Sequence, residues 1–331
     1  MKKFFMFAAM ASVALASCTK NEPAASVEQG SLITFEAPVV APATKAQVKY
    51  EGNFSVYAWY HTGDYVGDGV AESIYMDDVP VTLTDGVYSN AGYYWPKKGK
   101  LSFFAYSPTQ PNGTLVMSTM TPVGNIEMTY TVSDDIAEKD DLLYSDWSKD
   151  QTIEDYVSLS AALGSYEGVQ IAFHHALSAL QFNVQTTAAG NEKFQIHSIT
   201  INNAYNKNTL TCTPTSAAWD ADGHEGDGTY VVLTGDNTVL TSAKKALLNE
   251  FNVLPQELGV GVTLDITYSI KNPSSGAWIP QTESLSLKDA QDEWVMGKKY
   301  IYTLVFDVDV IQFAPVIAEN WDEVTVGDIE Q

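Results

Sequence analysis

The sequence predicts an all-β chain built as two tandem β-sandwiches. Three observations carry this. Apolar residues recur with period two along most of the chain, as in strands with one buried and one mixed face. Clusters of Gly, Asp, Asn and Pro punctuate those runs at short intervals. The alternation of strands with long amphipathic helices that marks parallel α/β folds is missing. At 331 residues the chain has the length of two such units.

The elements follow in order. Lys2 and Lys3 precede an apolar stretch, residues 4–16, of signal-peptide length and too short for a permanent membrane span. It ends in Leu15-Ala16-Ser17-Cys18, which resembles the bacterial lipobox, where a signal peptidase cuts before a cysteine that has received a diacylglycerol. Residues 1–17 are therefore read as a lipoprotein signal peptide and Cys18 as the lipidation site. Residues 18–31, small, polar and Pro-containing, are read as a tether. A multiply acylated cysteine anchors far more firmly than one chain would, and the membrane is reached through that anchor only. The expected location is the outer membrane, on the cell surface or in a pilus.

From residue 32 the alternation begins. Phe54, Val56 and Ala58 interleave with Ser55, Tyr57 and Trp59; Ile126, Met128, Tyr130 and Val132 interleave with Glu127, Thr129 and Thr131. Val262, Leu264, Ile266, Tyr268 and Ile270 form a third run, and Tyr300, Tyr302, Leu304, Phe306, Val308 and Val310 the longest. Asp85-Gly86 and Asn112-Gly113 read as hairpin turns. Residues 241–248, opening on Thr241 and Ser242, read as one short capped helix. An acidic, irregular stretch followed by Gly164 and Gly168 sets a boundary, giving an N-terminal sandwich at 32–167 and a C-terminal one at 168–331.

Charge and cysteine content exclude several classes. The formal charge is −23, all 18 basic residues are lysines, and removing Lys2 and Lys3 makes the mature chain more acidic still. A nucleic-acid binder needs a basic face, so that class is excluded. With Cys18 acylated, Cys212 has no disulfide partner; in Leu210-Thr211-Cys212-Thr213 it reads as a small buried strand residue.

Chemistry-bearing patterns are sparse. His174 and His175 are adjacent on a strand and point to opposite faces, so they do not readily share a metal; one is expected to pack or hydrogen-bond at an edge. Asp220-Ala221-Asp222-Gly223-His224-Glu225-Gly226-Asp227-Gly228 has the oxygens and glycines of a calcium loop without the EF-hand spacing, and reads as a solvated turn. Asp134, Asp135, Glu138, Asp140 and Asp141 likewise read as a solvated acidic loop. No nucleophile elbow, phosphate loop or zinc-protease motif occurs, so no catalytic residue, metal or cofactor is assigned. Tyr57, Trp59, Tyr60, Tyr93, Tyr94 and Trp95 read as packing aromatics, with a carbohydrate-binding face as the alternative.

Several strings taken in order resemble one family: Phe54-Ser55-Val56-Tyr57-Ala58, Tyr75-Met76, Tyr94-Trp95-Pro96, the run from Leu101 to Tyr106 ending at Pro108, the run from Phe173 to Leu180, Val253-Leu254-Pro255-Gln256, and Trp294 before Gly297-Lys298-Lys299-Tyr300. They are similar to the fimbrillins, subunits of type V pili of anaerobic oral and gut bacteria. The resemblance implies two transthyretin-like Greek-key β-sandwich domains, no enzyme activity, and assembly by strand exchange with other pilus subunits, homo- or heteropolymeric. A maturation protease would remove the lipidated segment together with a first strand, here Leu32, Ile33 and Phe35. The cut would fall at Lys45 and Ala46, and the absence of arginine departs from an arginine-specific site. The donor would be the tail of a neighbour, with Ile311, Phe313, Val316 and Ile317; the same tail is equally suited to closing its own sheet. Stalk, anchor and tip roles share this fold. The alternative is a surface adhesion or glycan-binding lipoprotein, taking host or bacterial surface ligands, that does not polymerise.

Overall fold

The computed structural model describes residues 32–36, 38–40, 48–64, 73–120, 125–133, 135–136, 140–155, 168–247 and 250–321. Their secondary structure is almost all strand, and several sheets share two apolar cores. The chain is an all-β sandwich protein, as the alternation predicts.

The largest sheet holds the N-terminal core. Its order runs Leu32–Phe35, Val87–Tyr94, Ser73–Thr84, Phe54–His61, Lys100–Ser107, Leu143–Ser145, Ala172–His175, Val39–Val40, Val48–Lys49. Ser73–Thr84 is long enough to serve two partners. Residues 73–81 pair with Phe54–His61 and residues 82–84 with Val87–Tyr94. Asp78 takes a positive φ of 51° between irregular stretches of this ladder. The hairpin that follows turns on Asp85 and Gly86, at φ 53° and 83°, the left-handed pair that matches strand twist.

The central strands of this sheet are buried on both sides. Phe54, Val56 and Ala58 lie in one core, while Tyr57 and Trp59 lie in the other. The alternation in Phe54–His61 therefore separates two apolar faces. The second face is covered by a smaller sheet ordered Ser216–Trp219, Lys207–Thr213, Asn125–Thr131, Thr114–Met120, which contributes Ile126, Met128, Tyr130, Leu210 and Cys212. Strands from both halves of the sequence thus make one sheet.

The C-terminal part packs two further sheets. One is centred on the parallel pair Ser178–Thr186 and Lys298–Phe306, with Lys245–Ala246 and Phe251–Val253 on one flank and Ile311–Phe313 and Ile317–Asn320 on the other. The second is ordered Gly228–Leu233, Phe194–Ala204, Thr263–Lys271, Trp278–Ser286. Phe182, Val184, Tyr302, Leu304 and Phe306 share a core with Phe194, Ile196, Ile199, Ile201 and Ile266. A register shift between Ile196 and Ser198 moves the inward face from even to odd residues, as a β-bulge does.

Four expectations are corrected. Residues 241–247 are not helical: Lys245–Ala246 pairs with Asn183 and Val184, and Leu247 N–H donates to Phe182 O. A helix of two turns is marginal alone, and an open sheet edge offers its backbone better bonds. Asn112-Gly113 does not close a hairpin, because Lys100–Ser107 and Thr114–Met120 belong to different sheets. The run from Tyr300 stops at Phe306, and Val308 and Val310 are exposed. Asp140 is buried and accepts from Asn112 N–H, Gly113 N–H and Tyr130 Oη at 2.7, 2.6 and 2.6 Å. It is a structural acceptor inside the fold, and its carboxylate satisfies the turn that the sequence suggested was a hairpin.

Candidate assembly site at the first strand

Leu32–Phe35 begins the described chain and is held on both sides. On one side it pairs antiparallel with Val87–Tyr94. On the other, Val169 N–H donates to Thr34 O at 2.8 Å, Glu36 N–H to Val169 O at 3.0 Å, and Val39 N–H to Ile171 O at 3.2 Å. Residues 34–36 therefore run parallel to the chain at Val169, and Val39–Val40 pairs parallel with Ala172–His175. Both ends of the large sheet meet across this segment.

Period two places Ile33 and Phe35 on one face, and both are buried, at 0% and 1% exposure. Phe35 sits edge-on to Phe54 and Phe103, with ring centroids 5.6 and 5.9 Å away. Burying the two side chains contributes about 1.5–3 kcal/mol each.

Two residues shape this seat, and sequence reasoning missed both. Opposite Ile33 the ladder is interrupted: Leu32 pairs with Tyr94 and Thr34 with Ser89. Asn90 fills the gap. Its Nδ2 donates to Ile33 O at 2.7 Å, and its Oδ1 accepts from Gly92 N–H and Tyr93 N–H at 3.1 and 2.7 Å. Gly168 is the second. A Cβ there would lie 2.4–2.5 Å from the backbone of Thr34 and Phe35, at φ +154°. Only glycine lets residues 168–169 come this close. A glycine can mark a close backbone approach, but from the sequence alone Gly168 reads as a boundary residue.

The tail lies at the edge of the C-terminal sheet. Ile311–Phe313 pairs with residues 304–306, and Ile317–Asn320 with residues 298–301. Of the four apolar residues singled out there, Ile311 is buried, Phe313 and Val316 are half-buried, and Ile317 is 51% exposed. After these strands Trp321 stacks on His175, with centroids 4.0 Å apart at 13°. His175 Nδ1 is 2.7 Å from Asp141 Oδ1. Its neighbour His174 lies on the other face, 3.0 Å from Asp146. The two imidazoles are apart, each with its own carboxylate.

Other sequence candidates fall as follows. Cys18, Lys45 and Ala46 lie outside the described residues. Cys212 is buried, and burial pushes its thiol pKa up, so it is a packed and poorly nucleophilic side chain. Tyr57, Trp59 and Trp95 are core residues, whereas Tyr94 is exposed. In the Asp220–Gly228 loop, Asp220 Oδ1 accepts from Asp222 N–H, and Glu225 pairs with Lys207. Among the described residues, no group of three or more His, Cys, Asp or Glu could hold a metal ion, and no helix is long and apolar enough to cross a membrane.

A profile of the fimbrillin-like family matches residues 43–321. The chain belongs to the fimbrillin-like family. A crystal structure of a fimbrial protein from Bacteroides vulgatus superposes with a TM-score of 0.64 at 17% identity, covering 81% of this chain and 92% of that one. A crystal structure described as a candidate cell adhesion protein from Bacteroides ovatus superposes with a TM-score of 0.50 at 10% identity, covering 89% and 99%. At these identities the structures establish a shared fold. No curated protein sequence matches the chain. Membership in the fimbrillin-like family supports a pilus-subunit or adhesin-like role at the cell surface, with other pilus subunits as partners.

Proposed function

We propose that this fimbrillin-like chain is a structural, non-enzymatic pilus subunit, exported as a lipoprotein on Cys18 and assembled by strand exchange. The observation that carries the reading is the seat of Leu32–Phe35. This short strand is bonded along both edges, inserts Ile33 and Phe35 into the core, and is followed, beyond Val39–Val40, by Lys45 and Ala46. A cut there would free the strand. Val39–Val40 also precedes the cut, so the departure of both short strands would leave unpaired backbone along Val87–Tyr94 and residues 169–173 and the empty sockets of Ile33, Phe35 and Val40, the arrangement that β-augmentation uses for affinity and register. Asn90 Nδ2 would then require a carbonyl from whatever chain enters. The same contact repeated head to tail gives a filament and no closed ring.

The donor in this reading is the tail of a neighbour, centred on Ile311, Phe313, Val316 and Ile317. In the subunit the tail occupies the edge of its own sheet, so exchange requires its release from residues 298–306. The division into units 32–167 and 168–331 belongs to the same proposal, with Ala172–His175 bonded into the first unit's sheet.

Two experiments test this. Metabolic labelling with palmitate should be lost in Cys18→Ala; retained label overturns the lipoprotein reading. Chain cut after Lys45 should form filaments visible by electron microscopy, and the same chain lacking the residues after Asp309 should not. Equal polymerisation by both removes the tail as donor. Absence of filaments from either, with uncut protein stable in the membrane, favours an anchor or adhesin.

A further inference from the structure

The acidic turn of residues 220–228 forms one wall of an open groove of about 810 Å³ at the end of the C-terminal sheets, within the size range of small-ligand sites. The groove lies far along the chain from the first strand, and its lining shares no residue with that strand or with the tail.

An aromatic lining residue is Tyr205, which is 41% exposed. The backbone beneath it is clamped by the buried Gln256. Tyr205 N–H donates to Gln256 Oε1 at 2.9 Å, and Gln256 Nε2 donates to Tyr205 O at 3.0 Å and to Leu254 O at 3.2 Å. The ring lies beside that of His224, with centroids 5.3 Å apart and planes inclined by 31°. His224 Nε2 lies 3.1 Å from Pro255 O, which can only accept, so the proton sits on Nε2 and leaves Nδ1 an acceptor in the neutral ring. An aromatic pair is thus held in place before any ligand arrives, which lowers the ordering cost of binding.

The facing wall is the turn at Gly259–Val262. Val262 N–H donates to Gly259 O at 3.1 Å, and Asn203 Nδ2 holds Gly261 O at 2.9 Å. Val260 stands on it at 78% exposure, an apolar rim residue. The charged groups lining the groove are Asp222, Glu257 and Lys288. Lys288 is paired with Asp292 at 3.3 Å. Hydrogen-bond acceptors therefore dominate, and on a chain of charge −23 they disfavour an anionic ligand.

We propose that this groove binds a neutral saccharide, with the C–H face of a sugar ring against Tyr205 and its hydroxyls donating to the carboxylates of Asp222 and Glu257. An exposed flat ring beside several acceptors suits a ligand that is apolar on its faces and rich in O–H donors at its edge. A purely apolar ligand would make no use of the two exposed carboxylates, and an anion would meet them as like charges.

Saturation-transfer NMR on the chain with maltotetraose, mannotetraose and lacto-N-tetraose tests this, with 3′-sialyllactose as the anionic comparison. At least one neutral oligosaccharide should receive saturation at its ring C–H protons. Tyr205→Ala should weaken that binding about tenfold or more with the thermal unfolding midpoint unchanged, and Asp222→Asn should weaken it while preserving shape. Tyr94→Ala, an exposed tyrosine in the other half of the molecule, should leave it unchanged. Absence of transfer to any neutral probe, binding indifferent to both Tyr205→Ala and Asp222→Asn, or a preference for 3′-sialyllactose overturns the proposal.

Discussion

The first strand and the tail are both short, both rich in alternating apolar residues and both placed where a sheet ends, yet they are held very differently. Leu32–Phe35 is bonded on both sides, and its two inward residues are fully buried, Phe35 edge-on to Phe54 and Phe103. The tail, Ile311–Phe313 and Ile317–Asn320, is bonded through Lys298–Phe306, with one buried residue of its four apolar candidates. One segment is a filler without which the N-terminal core lies open. The other is a cover that leaves most of its sheet intact when lifted. Position at an edge does not measure how firmly a strand is held; the number of ladders it joins and the sockets it fills do.

Substitutions can break or sharpen this contrast. Phe35→Ala should have the largest effect, destabilising the uncut chain by about 3–5 kcal/mol in chemical denaturation, because a large side chain is lost from the packed core beside Phe54 and Phe103. A loss below that of a surface substitution would abolish the distinction between filler and cover. Asn90→Ala should come next, at roughly 1–3 kcal/mol, since the buried Ile33 O would lose its partner and the N–H groups of Gly92 and Tyr93, nearer the surface, would lose theirs. In the tail, Trp321→Ala removes the stack on His175 and should cost on the order of 1 kcal/mol. Hydrogen exchange should then rise at residues 317–320 while residues 32–35 stay protected. Smallest of all, Ile317→Ser should shift stability by no more than about 0.5 kcal/mol, as expected for a half-exposed side chain. If Ile317→Ser proved as damaging as Phe35→Ala, the tail would be as integral as the first strand.

Much of this was legible in the chain. The parity of Ile33 with Phe35, and of Leu264 with Ile266, gives the buried face directly, because side chains alternate along any strand. Asp85-Gly86 announced its turn, since few other pairs accept two positive φ values. Local pattern failed where a distant partner decided the outcome. Asp140 reads as one more acid in a charged loop until Asn112, Gly113 and Tyr130 converge on it from elsewhere in the sequence. Residues 241–248 carry helix formers, yet the edge beside Asn183 and Val184 draws Lys245–Ala246 into extended pairing. The site at Tyr205 was invisible for the same reason: its clamp, Gln256, and its neighbour, His224, lie 51 and 19 residues away.

The sequence by itself determined the all-β class, the inward residues of most strands and the exclusion of basic-surface functions, because these depend on periodicity, turn chemistry and charge, which are local or additive properties. Only the tertiary structure decided that Phe54–His61 is apolar on both faces, that strands from both halves share one sheet, that Gly168 admits the first strand and that Asn90 mends its ladder. Those outcomes depend on which backbone lies next to which, and a one-dimensional pattern does not hold the pairing of segments far apart in the sequence.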